Sequence, residues 1–390
     1  MRIFAAKTIL STKVSITGIA SVSPLGFRRS QIWNNYLSTN HHFTAFNADS
    51  LAAFLDVSSE ETVTELRQNH HYKSVDRSVL YAVAASRLAV NDAGWEATTN
   101  FGINIGSSRG ATALFEKHHK EFIATGKANT LSSPTTTLGN ISSWVAHDLQ
   151  SAGPEISHSI TCSTALHALL NGVAWIRAGM SDKFLVGGSE APLTEFTIAQ
   201  MKALKIYSRD HGEFPSRALD LMKKQNSMIL GEGAAVCCLE AGVTDKSLAV
   251  ISGIGYATEL LEHSISISAE ADCFQKSMKM ALADTDPSDV DVIVLHAPGT
   301  IKGDSSEYHA IEKVFKDKLP MLTTNKWKIG HTFGASGTLS IQMAILMMQN
   351  QMFIGVPFVN ETKSTTIRNI LVNSVGFGGN AVSILLSAPK

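Results

Sequence analysis

Residues 156–176 read ISHSITCSTALHALLNGVAWI, and residues 332–360 read TFGASGTLSIQMAILMMQNQMFIGVPFVN. Neither stretch holds an Asp, Glu, Lys or Arg. By length either would span a bilayer. By content neither does. His158, Ser159, Thr161, Ser163, His167 and Asn171 interrupt the first, and three glycines, Gln342, Gln349, Asn350, Gln351 and Pro357 interrupt the second. Each reads as turn, helix, turn, with helical cores STALHALLNGVAWI and SGTLSIQMAILMMQ. A helix that is apolar nearly all round is buried on every side. Two such helices in one chain call for a layered fold, with helices held between sheets.

Composition agrees. The chain has 390 residues, 44% apolar and only 17% charged. That charged share lies below the usual ~25% and excludes disorder over most of the length. Lys and Arg (33) nearly cancel Asp and Glu (34), giving net −1. A dominant nucleic-acid or acidic-membrane role needs a basic excess that is missing here, although a local basic patch for an acidic partner stays open. The four cysteines form no CxxC pair, and Cys237 and Cys238 are adjacent in an apolar run. This is neither a disulfide framework nor a zinc ribbon, no metal site is expected, and a reducing cytoplasm fits. The opening MRIFAAKTILSTKVSITG reads as a segment leading into a strand, not as a signal peptide.

Working outward from the two tracts, KVSITGIASV is a strand and VDRSVLYAVAASRLAVNDAG an amphipathic helix ended by Gly94. FGINIGSS, ISHSIT and KFLVGGSE read as strands, ATALFEKHHKEFI and SSWVAHDL as helices. Residues 205–230 read as a polar surface excursion, followed by GAAVCCLEA and SLAVISGIGYA as adjacent strands of a hairpin. The second half repeats the style with helix AEADCFQKSMKMALADT, strand DVIVLHA, helix SSEYHAIEKVF and strand MLTTN. The buried helix and strands NILVNSVGF and NAVSILLS then follow. Both halves contain strand, buried helix, strand, which suggests an internal duplication.

Three turns carry candidate chemistry. Cys162 sits in SITCSTALH at a strand-to-helix junction, where unpaired N–H groups and the helix dipole would lower a thiol pKa and expose a thiolate. On its own, a lone cysteine is more often a small buried residue. His296 ends an apolar strand in VLHAPGTIKGDSSE, the edge at which α/β sheets present ligand-facing groups. Asp304 and Glu307 follow, either of which could orient an imidazole or a nearby turn. His331 lies in the Gly-rich turn of TNKWKIGHTFGASG, with Lys326 just upstream and no P-loop spacing. Together they make a nucleophile with two imidazole donors. The remaining histidines and cysteines read as solvated or core residues.

With these motifs in this order, the chain resembles a β-ketoacyl-acyl-carrier-protein synthase of the thiolase superfamily from about Lys13 to Leu386. The matching stretches are SITGIASVSPLG, TCSTALHAL, FLVGGSEA, SRALD, GEGAAVCCLE, HAPGTIKGDSSE, KWKIGHTFGASG and NSVGFGGNAV. The KWKIGHTFGASG run also looks similar to synthases of aryl-polyene and flexirubin pigment pathways. The resemblance implies a thiolase-like α/β fold of five αβαβα layers from two similar halves, 11–245 with the Cys and 246–390 with both His. It implies a Cys162, His296, His331 triad supported by Lys326, and an oxyanion hole from the backbone N–H groups of Cys162 and Val375. The implied reaction is decarboxylative Claisen condensation of malonyl-carrier protein with a Cys-bound acyl chain, in fatty acid or polyketide synthesis. No cofactor is implied beyond the phosphopantetheine arm that the acyl carrier protein brings.

Departures from the family pattern matter. Pro298 stands where a pantetheine-contacting threonine is common, while Thr300 is kept. Ser340 stands where a glutamate often pairs with the lysine, leaving the charge partner of Lys326 open. Val375 replaces the gating phenylalanine, with Phe377 retained. Lys202, Lys205 and Arg209 are candidates for receiving an acidic carrier protein, or else merely solvate a helix. The resemblance further implies a dimer, with itself or with a ketosynthase-like subunit. Two other readings are a non-catalytic chain-length-setting partner, which usually lacks the Cys, and a CoA-dependent thiolase relative, which uses a second Cys near its C-terminus. The last Cys here is Cys273.

Overall fold

The computed structural model describes residues 12–96, 98–138, 140–260, 267–283, 285–316, 318–359 and 366–389. The opening segment through residue 11, read above as leading into a strand, lies outside the described residues.

The principal strands are β1 (Val14–Val22), β2 (Gly102–Gly106), β3 (Glu155–Ile156), β4 (Lys183–Glu190) and β5 (Gly233–Ala241), then β6 (Ala249–Thr258), β7 (Val292–Val294), β8 (Met321–Thr323), β9 (Asn369–Gly376) and β10 (Asn380–Ser387). The sheet order is β8-β7-β9-β10-β6-β1-β5-β4-β2-β3. Within each half the order is therefore third, second, fourth, fifth, first. The pairings also repeat. The second strand is parallel to the third and fourth, and the fifth is antiparallel to the fourth and first. The halves join where β1 and β6 pair antiparallel over three residues. Identical order and direction make the duplication a property of the fold.

The principal helices are α1 (Arg77–Ala93), α2 (Thr112–Thr125), α3 (Asn140–Leu149), α4 (Thr164–Arg177), α5 (Glu195–Ala203), α6 (Asp272–Leu282), α7 (Ile301–Phe315) and α8 (Ser336–Asn350). The uncharged tracts supply α4 and α8. These pack on each other between the two halves of the continuous sheet, α4 against β2, β4, β5 and β10 and α8 against β1, β4, β5 and β9. Every residue of α8 from Ser336 to Met348 is buried. Outside, α1 covers β1 and β5 and α3 covers β2 and β3, while α6 covers β6 and β10 with α7 beside it. The layers are thus αβαβα, each inner and outer contact sealed by an apolar cluster. No helix among the described residues is long and apolar enough to cross a membrane.

Three expectations need correction. The strands β5 and β6 do not form a hairpin, because β1 lies between them and pairs with both. Of ISHSIT only Ile156 belongs to a strand, and the following residues form the turn into α4. Residues 205–230 lack helix or strand but are not a surface excursion. Ala218, Leu219, Asp220, Lys223, Ser227 and Met228 within them are buried.

Candidate active site

Because the halves repeat, their turns meet at one place. Cys162 precedes α4 in the first half, and His331 lies in the equivalent turn before α8 in the second. His296 follows β7, at the carboxyl end of a parallel strand.

The Cys162 turn is locally strained. Thr161 has φ 45°, a conformation costly for a β-branched residue. Thr164 Oγ1 staples the turn, donating to Thr161 O at 2.6 Å and accepting from Ile160 N at 2.9 Å. Ser374 Oγ donates to Cys162 O at 3.2 Å. Gly376 must lack a side chain there, since a Cβ would stand 1.9 Å from Thr161 Oγ1. The thiol is not a resting thiolate, contrary to the sequence expectation. Burial and the Glu190 carboxylate push it up to about 12, against the opposing charges of Lys326 and Arg109.

His296 and His331 lie edge to face, ring centroids 5.2 Å apart. Burial first, then the Lys326 charge, holds both well below the usual histidine range, so both are neutral. His331 is fixed by backbone bonds with Ile229 and Gly231 and by Nδ1 to Ser336 Oγ at 3.1 Å. That leaves Nε2 for a ligand. His296 Nδ1 is buried without a partner among the described residues. An orphaned N–H is rarer than an orphaned acceptor, which favours the proton on Nε2.

Glu307 holds the His296 turn and not its ring, accepting from the backbone N–H of His296 and of Ala297. Asp304 accepts from Gly299 N at 2.9 Å and Leu219 N at 2.8 Å. It also pairs with Lys223 Nζ at 2.7 Å, an ion pair with both side chains almost fully buried. Lys326 is buried, and desolvation lowers its pKa; Glu307, then Cys162 and Asp304, oppose this. The strongest opposing charge is therefore Glu307 of α7, acting at a distance and not in an ion pair, and Ser340 is a buried residue of α8.

A cavity of about 350 Å³ is lined by Cys162, His296, His331, Phe333, Val375 and Phe377. Pro298 and Thr300 also line it, Thr300 capping α7 through Gly303 N at 3.1 Å. Lys202, Lys205 and Arg209 line a separate groove, and Asn226 belongs to both spaces. No group of three His, Cys, Asp or Glu among the described residues is placed to hold a metal.

Sequence reasoning missed three buried or half-buried charged residues around this site. Lys223 lies in the polar run 205–230, which reads as surface. Glu190, which ends β4, accepts from Ser108 N and from Gly334 N at 3.2 Å, and burial raises it to about 7. Arg109 lies in the turn after β2. The signal for Glu190 is present: it is an ionisable residue ending a strand that carries no other charge beyond Lys183.

Comparison with known proteins agrees with this architecture. The family described as beta-ketoacyl synthase, N-terminal domain, matches residues 11–244, and its C-terminal domain matches 248–359. A 3-oxoacyl-[acyl-carrier-protein] synthase 2 of Coxiella burnetii is 29% identical, aligned over 96% of this chain and 98% of that protein. One of the same name from Rhizobium meliloti is 27% identical over 96% and 98%. Among solved structures, a β-ketoacyl synthase from Burkholderia phymatum superposes with TM-score 0.83 at 23% identity, covering 97% of this chain and all of that one. The ishigamide ketosynthase/chain length factor gives 0.84 at 22%, with the same coverage. With both domains matched in order, the chain belongs to the β-ketoacyl synthase family of acyltransferases.

Proposed function

We propose that Cys162 carries the acyl chain and that His296 and His331 stabilise the enolate in a decarboxylative Claisen condensation on carrier-protein thioesters. The observation that carries this reading is the shared cavity, in which one thiol faces two neutral imidazoles.

In the first step the Cys162 sulfur attacks an acyl thioester, its proton leaving with the departing carrier thiol. The backbone N–H groups of Cys162 and Val375 are assigned to the oxyanion. Malonyl thioester then loses CO2, and the electron pair of the broken C–C bond becomes the enolate. The Nε2–H groups of the two histidines donate to its oxygen in a water-poor site. Neutral imidazoles suit this task because they donate without giving up a proton. The carbanion attacks the Cys162 thioester, the C–S bond breaks, and the sulfur regains a proton, drawn from solvent as the product leaves. The raised thiol pKa favours that return. Lys326 sets the local potential behind the histidines.

The groove of Lys202, Lys205 and Arg209, joined by Lys224, suits an acidic carrier protein. Asn226 lines both, Thr300 lines the cavity beside Ile301 of the groove, and the phosphopantetheine arm would follow that line. The edge strand β3 and exposed Phe115, Phe122 and Ile123 of α2 support a dimer, with itself or a related subunit. Four unpaired buried cysteines support the cytoplasm. Incubation with acyl-carrier protein followed by mass spectrometry tests the nucleophile. The wild type gains one acyl group on Cys162 and Cys162→Ala gains none; acylation of the Ala variant at the normal rate would overturn the reading.

A further inference from the structure

A second cavity, of about 740 Å³, lies on the other side of Arg109. Its walls include Arg109, Thr112, Phe115, Phe196, His119 and Lys120. Glu116 shares the wall, and it accepts Thr194 Oγ1 at 2.8 Å.

Arg109 connects this wall to the Cys162 cavity. Its turn follows β2, and in the repeat this matches the turn after β7 that carries His296. Its guanidinium lies 5.9 Å over the ring of Phe333, which lines the Cys162 cavity. Its charge acts on the Cys162 thiol and on Glu190. On the next helix, Gln200 faces Arg109 while its neighbour Met201 lines the Cys162 cavity. Gly334, beside Phe333, packs so tightly that a Cβ would stand 2.7 Å from Ser108 N. The wall between the cavities is thus one ring and one guanidinium thick.

That guanidinium is under-used. Its bonded side-chain partner is the neutral amide of Gln200, and it makes no ion pair among the described residues. Its Nε is buried with no acceptor. A buried donor left unmade is costly, more so on a charged group, and an alkyl chain passing it would not relieve that cost. An oxygen would. A cation of fixed fork geometry also recognises a carboxylate through two bonds.

We propose that an acyl chain on Cys162 runs past Phe333 into the second cavity, and that Arg109 selects chains whose far end carries an oxygen acceptor, a carboxylate above all. This rests on the reading of Cys162 as the acyl carrier. Lys120 and His119 on the far wall add donors for the same terminus.

The test compares three primers of equal length on carrier protein: decanoyl, ω-hydroxydecanoyl and the ω-carboxy analogue, sebacoyl. Acylation rates of Cys162 are read by intact mass. The wild type should favour at least one oxygen-bearing chain over decanoyl by about tenfold. Preference for both marks Arg109 as a hydrogen-bond donor; preference for sebacoyl alone marks it as a charge. Arg109→Leu should abolish the preference by raising decanoyl and lowering the others, Arg109→Lys should keep part of it for sebacoyl, and Thr112→Trp should slow all three relative to acetyl. Equal rates in the wild type, or a preference unchanged in a folded Arg109→Leu, would overturn the proposal. Should no primer acylate Cys162, the nucleophile reading fails. Calorimetric binding of monomethyl sebacate against methyl decanoate, which lacks a free carboxylate, then decides the role of Arg109: tighter monomethyl sebacate binding that Arg109→Leu removes supports it, and equal binding overturns it.

Discussion

Glu307 reaches back eleven residues to accept the backbone N–H of His296 at 2.9 Å. Its other oxygen takes the N–H of Ala297 at 2.8 Å, and Ala297 has a left-handed φ of 27°. One carboxylate therefore pins a strained turn and, through it, the imidazole. Asn373 Nδ2 also donates to it at 3.2 Å.

Glu307→Gln keeps one acceptor oxygen and sets an amide N–H against a backbone N–H. Losing a buried charge-assisted bond costs about 1.5–3 kcal/mol. Stability should fall by that amount in urea melts, and malonyl decarboxylation should fall about tenfold or more, as the ring loses its position. Unchanged decarboxylation would show that the clamp does not set the imidazole.

The buried pair of Lys223 and Asp304 makes a separate prediction. Lys223→Met leaves the Asp304 carboxylate without its cation while Leu219 and Gly299 still donate to it. Breaking a buried pair from one side costs about 3–5 kcal/mol. Adding Asp304→Asn should recover part of the loss. A denaturant midpoint unmoved by Lys223→Met would place the pair in water.

The pH dependence follows from the two lowered histidines. Their folded pKa values lie below the ordinary 6.5, so below that pH the unfolded chain binds more protons. Their contribution to stability is complete above 6.5 and is lost as pH falls toward the folded values, by up to about 1.4 kcal/mol per unit for each ring. Catalysis behaves differently. Decarboxylation should stay flat through pH 6.5 while the fold holds, because the imidazoles remain neutral. A rate falling with an apparent pKa at the ordinary histidine value would contradict the buried environment.

Val375 lines the cavity together with Phe333 and Phe377 and is buried. Its two methyl groups and stiff χ1 leave room that a phenyl ring would take. Val375→Phe should slow conjugated or aryl-bearing primers about tenfold more than short saturated ones. Equal loss for both classes would make Val375 a packing residue only.

Much of this architecture is legible in the amino-acid sequence. The tracts around Leu166 and Ile341 announced buried helices because charge is absent from them over many turns. The turns of Cys162 and His331 are legible because each opens onto an uncharged apolar helix, and that of His296 because it ends an apolar strand. What escaped the sequence was distance along the chain. The strand β1 inserts between β5 and β6 from over two hundred residues away, as Ile16 pairing with Leu239 shows. Local pattern cannot report such a neighbour. Lys223 sits in a polar run that reads as surface, and its partner Asp304 lies 81 residues on. The raised Cys162 thiol escaped because burial and Glu190, both set by the assembled layers, outweigh what the helix start suggests.

The central claim, that two neutral imidazoles carry the enolate while Cys162 carries the acyl chain, is tested most directly by CO2 release from malonyl-carrier protein. Cys162→Gln, whose amide resembles an acylated cysteine, should lose condensation yet release CO2 at least as fast as the wild type. His296→Ala and His331→Ala, each in that background, should lower release by about 10²–10³, the usual cost of removing one such donor. Release that survives in both histidine variants would show that something else in the cavity stabilises the enolate, and would contradict the account.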